Sequence, residues 1–187
     1  MSGRLANAKI ELIVLRVRKN EAEAFEELVD MWEKRLFYFV RRMVRQEDDA
    51  WDVLQETWVK IHAGIRHLRD PSAFPAWVYR ITRNTVISYL RKRQRCDVFD
   101  EDDPPQEVLD ASDSYTFSED EAELIHWGLD QLPLLQREAL TLFFLEGFSL
   151  NEIADITHVS PGTIKSRLFY GKKKLRNIIE QEAYCHE

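Results

Sequence analysis

Between Asp97 and Glu123 the chain carries twelve acids and not one lysine or arginine. So dense a run of like charge repels itself and cannot be buried. With Pro104-Pro105 inside it, 97–118 is expected to be an acidic flexible linker. That single feature breaks the 187 residues into two parts. It also explains an overall net charge of −7. With the twelve set aside, 21 of the 33 acids remain against 26 bases, and the net turns to +5. Two mildly basic parts joined by an acidic one is a charge distribution that suits a polyanionic partner.

Each part is expected to be helical, so the fold class is all-α: two small helical domains, 9–96 and 119–182. Glycine and proline number only six each, too few for a loop-rich β architecture. In the first part Phe25, Leu28, Trp32, Leu36, Val40 and Met43 or Val44 recur at steps of three and four, one apolar stripe on a helix. A second helix from about Asp49 puts Trp51, Leu54, Trp58 and Ile61 on one side. Gly64 to Pro71 is expected to be a loop, with Pro75 near the start of the next helix.

The sharpest local signal lies between Phe148 and Arg176. Ser149-Leu-Asn-Glu152 has the spacing of a capping box. A short helix follows through Ile153, Ala154 and Ile156. A break comes at Thr157-His158-Val159, where histidine tolerates the left-handed conformation better than most residues. Ser160-Pro161 then offers an N-cap and a proline at the first helical position. This is helix–turn–helix grammar.

On the second helix Ile164, Leu168, Gly171, Leu175 and Ile178 step by four and three as a core face. Recognition helices read base edges from their N-terminal residues and hold phosphates with their flanks. Thr163, Lys165, Ser166, Phe169 and Tyr170 are therefore expected in a DNA groove. Arg167, Lys172, Lys173, Lys174 and Arg176 are expected at phosphates or flanks. No acid occurs between Ile156 and Ile179.

Phe74 to Cys96 carries six bases and no acid. Val78, Tyr79, Val86, Tyr89 and Leu90 cluster on one side of a helical wheel. Arg80, Asn84, Ser88, Arg91 and Arg95 lie opposite, with Trp77 close by. Arginines beside an aromatic suit the capture of an unstacked base. Stacking contributes about 1–3 kcal/mol per base, and opening a step costs a few kcal/mol. Such a helix traps an opened region but does not melt a duplex alone. Trp77 and Phe74 could equally be ordinary core residues.

Upstream, Glu47, Asp48, Asp49, Asp52, Gln55 and Glu56 make an acidic helix start and face. Negative charge at a helix N-terminus is favourable in itself. A carboxylate cluster can also hold metal, but no histidine or nucleophile falls in register, so docking of a basic partner is the favoured reading. No metal or cofactor is expected. Cys96 and Cys185 form no paired spacing and are expected to be plain thiols in a reducing compartment. Charges interrupt the first eighteen residues, and no apolar run approaches the roughly twenty of a membrane span. The protein is expected in the cytoplasm, with no membrane insertion.

DDAWDVLQETWVKIHAGI followed by FPAWVYRITRNTVISYLRKRQR resembles the N-terminal domain of extracytoplasmic-function sigma factors of bacterial RNA polymerase. LDQLPLLQREALTLFFLEGFSLNEIADITHVSPGTIKSRLFYGKKKLR resembles their C-terminal domain. The likeness spans about Phe25 to Arg176. It implies a specificity subunit that binds core RNA polymerase through its largest and second-largest subunits, directs promoter recognition, and leaves catalysis to the core. It implies docking by Asp49, Asp52, Gln55, Glu56 and Trp58. It implies recognition of the −10 element and capture of a flipped base by Trp77, Arg80, Asn84, Ser88, Arg91, Lys92 and Arg95 together with Arg66. Lys165, Ser166, Arg167, Phe169 and Tyr170 would read the −35 element, with Thr163 and Lys173 beside them. Family members are commonly held inactive by an anti-sigma factor, which nothing in this sequence identifies.

As a coil, the 27 residues from Asp97 to Glu123 span about 30 Å, and about 90 Å fully extended, against about 34 Å for a DNA turn. Such a linker could pass through the polymerase or be a passive spacer. Rival readings are a stand-alone dimeric helix–turn–helix regulator, a metal-dependent nuclease using Asp48, Asp49, Asp52 and Glu56, and a purely protein-binding adaptor.

Overall fold

A computed structural model describes residues 2–93 and 119–185. Every regular element among them is helical. The chain forms two compact bodies. The first is built on α1 (Ser2–Arg18), α2 (Ala22–Met43), α3 (Glu47–Gly64) and α4 (Phe74–Arg93). The second is built on α5 (Glu119–Asp130), α6 (Leu134–Leu140), α7 (Leu150–Thr157) and α8 (Pro161–Cys185). The first helix thus begins at Ser2 and the last ends at Cys185, both somewhat beyond the expected limits of 9 and 182.

In the first body α2 packs on α1, α3 and α4. Most of its stripe is buried as its period requires: Leu28, Trp32, Leu36, Val40, Met43 and Val44 are all under 5% exposed, while Phe25 at its start is half-buried. Trp32 stands edge-on to Phe74, with ring centroids 5.3 Å apart, and Phe39 meets Tyr79 edge-on at 5.3 Å. Aromatic edges against faces are the favoured arrangement of ring quadrupoles. Thr57, Thr82 and Thr85 are buried without cost in orphaned hydroxyls. Each donates to the carbonyl four residues back, at 2.8, 2.8 and 3.0 Å.

The inward face of α3 differs from the expected one. Ala50, Val53, Leu54, Thr57 and Ile61 are its buried residues. Trp51 is 40% exposed and stacks on Phe37 at 4.1 Å. Trp58 is only half-buried. The two tryptophans lie one position off the stripe that faces α2 and α4, and the small Ala50 and Thr57 occupy the close approach instead. The expected loop after Gly64 contains two short 3-10 turns, Ile65–His67 and Pro71–Ala73.

In the second body α8 packs against α5 and α6. Gly171 permits the α6 approach: a Cβ there would lie 3.1 Å from Leu140 Cδ1 and 3.3 Å from Gln136 Cβ. The residues expected on the core face of α8 grade from buried Ile164, Leu168 and Gly171 to half-buried Leu175 and Ile178.

Candidate nucleic-acid interface

The helix–turn–helix forms through the local bonds its residues permit. The Ser149 amide donates to Glu152 Oε2 at 2.8 Å, and the Glu152 amide donates back to Ser149 Oγ at 3.4 Å, closing the capping box. α7 ends at His158, whose φ of 58° and ψ of 40° are left-handed. The Val159 amide donates to the Ala154 carbonyl at 3.3 Å. Ser160 then caps α8, its Oγ accepting from the Thr163 amide at 3.0 Å.

On α8, Thr163, Lys165, Arg167, Phe169 and Tyr170 are half-exposed and Lys173 is exposed. Phe169 and Tyr170 stand edge-to-face, 5.1 Å apart. Thr163 also shares a 2.9 Å hydroxyl contact with Ser160, so it serves the cap as well as the surface. Ser166 departs from the groove assignment. It is 9% exposed, and its hydroxyl donates to the Gly162 carbonyl at 3.2 Å. Two residues from both Ile164 and Leu168, it lies on the side of the helix away from that core face, so its enclosure does not follow from the helical period.

On α4, Asn84, Ser88, Arg91 and Lys92 are exposed and Arg80 is half-exposed. Arg66, in the turn after α3, is exposed. Arg95 lies outside the described residues. Phe74 and Trp77 have different fates. Phe74 is fully buried in the core, whereas Trp77 is half-exposed. The Trp77 indole lies over Gly64, where an added Cβ would stand 3.0 Å from its Cζ2. A side chain at position 64 would push that ring away.

The acidic face of α3 is partly engaged with α4. Asp52, Gln55 and Glu56 are exposed. Glu56 pairs with Lys60 at 2.7 Å, and Lys60 also donates to Thr85 Oγ1 on α4 at 3.1 Å. The hydrogen bond from Lys60 holds the Glu56 carboxyl below its ordinary pKa. Asp49, 21% exposed in its side chain, forms an ion pair with Arg93, which also bonds the Tyr89 hydroxyl. Burial pushes the Tyr89 phenol up, and the negative charge of Asp52 adds to the effect. Trp58 turns from the acidic face toward Phe25, edge-on at 6.0 Å, with its indole nitrogen buried. No local pattern links Asp49 to Arg93, since the two stand 44 residues apart.

Among the described residues no group of three or more His, Cys, Asp or Glu is placed to hold a metal ion. No described helix is long and apolar enough to cross a membrane.

Two family descriptions match the chain: Sigma-70 region 2 over residues 28–96 and Sigma-70, region 4 over residues 123–175. The chain is 30% identical to the ECF RNA polymerase sigma-E factor of Haemophilus influenzae, over 91% of this chain and 95% of that one. It is 28% identical to the RNA polymerase sigma-H factor of Pseudomonas aeruginosa, over 94% and 96%. Among solved structures, it is similar to the sigma factor RpoE from Bartonella quintana, determined with the anti-sigma factor NepR. There the TM-score is 0.66 with 29% identity, covering 85% of this chain and 98% of that one. CnrH, solved with the cytosolic domain of CnrY, has the same fold at 21% identity and a TM-score of 0.66, covering 92% and 97%.

Proposed function

We propose a division of labour from one premise: the chain belongs to the sigma-70 family, as an extracytoplasmic-function (ECF) sigma factor. As such it binds core RNA polymerase and directs promoter recognition and transcription initiation. The first body, within 9–96, is the polymerase-docking and −10 domain. The second, within 119–182, is the −35 domain. Residues 97–118 join them and lie outside the described residues.

In our reading Asp52, Gln55 and Glu56 dock on a basic surface of the largest polymerase subunit. Asp49 joins them only by exchanging Arg93 for a polymerase partner. Trp58 supports the face from behind. Arg66, Arg80, Arg91 and Lys92 hold the backbone of the opened −10 segment, Asn84 and Ser88 meet its bases, and Trp77 offers a face for stacking. Because stacking and unstacking energies are of similar size, opening needs the polymerase. Lys165, Phe169 and Tyr170 enter the −35 groove. Thr163, Arg167 and Lys173 flank it, and Ser166 stays with the helix. The chain carries no catalytic site of its own in this reading, and it works in the cytoplasm, where its polymerase is. The B. quintana relative, solved with an anti-sigma factor, supports an inhibitor of the same kind here.

The observation that carries the reading is a capped helix–turn–helix whose second helix carries bases and no acid from Pro161 to Ile179, in a body separate from a second basic helix. Run-off transcription with core polymerase plus this chain on a genomic promoter library tests it. Specific transcripts sharing two spaced elements are expected. Transcripts no different from those of core alone would refute it.

A further inference from the structure

From Lys34 to Gln46 the chain has five bases, Lys34, Arg35, Arg41, Arg42 and Arg45, and no acid. The first four lie on α2, and Arg45 follows just after its end. At 100° per residue, Lys34, Arg35, Tyr38, Arg41 and Arg42 fall within about 120° of arc. The opposite side of the same helix is the buried stripe of Trp32, Leu36, Phe39, Val40 and Met43. Core packing therefore forces the bases outward. Lys34, Arg35, Arg41 and Arg45 are exposed, while Tyr38 and Arg42 are half-buried. The Arg42 guanidinium lies over the Tyr38 ring, 4.9 Å from its centre. Arg41 donates to the Val44 carbonyl at 3.1 Å, which holds it at the end of the helix.

The Asp49–Arg93 pair fixes the location of this face in the body. It ties the end of α4 to the start of α3, which is separated from the end of α2 by three residues. Arg41 and Arg45 therefore share one end of the body with Arg91 and Lys92. Glu47 and Asp48 begin α3 there and bound the basic surface on one side.

We propose that the outward face of α2, from Lys34 to Arg45, is a second promoter contact of the N-terminal body, one that grips the phosphate backbone of duplex DNA and reads no base. Guanidinium forks match phosphate oxygens. The face is a broad flank rather than a helix N-terminus aimed into a groove, so it adds affinity and orientation without sequence information. The proposal rests on the reading that α4 meets promoter DNA, because continuity with α4 selects DNA over an acidic protein.

The test uses the holoenzyme, reconstituted with core polymerase, and a labelled promoter obtained from the run-off experiment. Binding is followed by fluorescence anisotropy over a salt series. Arg41→Gln/Arg45→Gln is expected to lower the slope of log K against log salt by about 1.8, since each duplex phosphate contributes about 0.9. Affinity should fall by the same factor on the promoter and on a copy with its −10 element scrambled. Arg18→Gln/Lys19→Gln removes equal charge from exposed positions at the end of α1 and should leave the slope unchanged. Arg91→Gln/Lys92→Gln reports on α4. If it lowers the slope and the α2 variant does not, this proposal alone falls. If neither does, the α4 reading falls with it. A loss of core-polymerase binding at unchanged slope would overturn the proposal too, assigning the face to an acidic protein surface.

Discussion

Replacing Ser149 by alanine should loosen the helix–turn–helix by a predictable amount. The Ser149 hydroxyl accepts from the Glu152 amide at 3.4 Å and donates to the Glu152 carboxylate at 2.6 Å. That carboxylate in turn takes the Ser149 amide at 2.8 Å. Losing an N-cap side chain costs about 0.5–2 kcal/mol. The long amide contact argues for the lower half of that range. The short hydroxyl–carboxylate contact argues upward, since its loss also frees Glu152. About 1 kcal/mol is the expected balance. α7 has only eight residues, too few to hold together without its cap and its packing. The expected loss corresponds to roughly a fivefold rise in opening, taking 1.4 kcal/mol as tenfold. It equals about 4–8 °C in the melting temperature of a domain of 60–100 residues. Hydrogen exchange of the α7 amides, followed in Ser149→Ala, Glu152→Ala and the double variant, measures it. Because both side chains belong to one box, the double variant should lose less than the two singles together, by about 0.5 kcal/mol or more. Full additivity, or unchanged exchange in Ser149→Ala, would refute the reasoning.

Three further outcomes follow from the site geometry. Lys60→Met should raise the Glu56 pKa toward its ordinary value, because Lys60 is the main cause of its depression. The sign for stability is that a depressed carboxyl stabilises above its unfolded pKa and loses that contribution as pH falls through its folded pKa. The variant should therefore show a shallower loss on acidification, and a carboxyl NMR titration with Glu56 unmoved would count against the ion pair. Phe74→Ala should cost about 3–5 kcal/mol on thermal unfolding, as a fully buried ring. Trp77→Ala should cost clearly less stability yet reduce open-complex formation in permanganate footprinting, and equal destabilisation by the two would make Trp77 a core residue. Ser166→Ala should leave −35 discrimination within about twofold, while Lys165→Ala should lose about 1–3 kcal/mol if Lys165 reads a base. A larger effect at Ser166 in competition binding would restore it to the groove.

The acidic stretch, the helical periods and the caps were legible in the residues because each depends on neighbours within a turn or two. The capping box at Ser149 and Glu152 and the left-handed turn at His158 formed as their spacing required. Hydrogen bonds of that kind close over three or four residues, so local chemistry is enough to specify them. The two bodies likewise follow from charge that no core can accept.

Burial on a given side of a helix was decided only by packing. Ala50 and Thr57 line the core where Trp51 and Trp58 were expected, because two helices come close only over small residues. Phe74 and Trp77, alike in the sequence, separate into a core ring and a surface ring according to which helix stands opposite. Asp49 finds Arg93 for the same reason. A helical wheel gives the angle of each residue, and only the neighbouring helices determine which angles are covered.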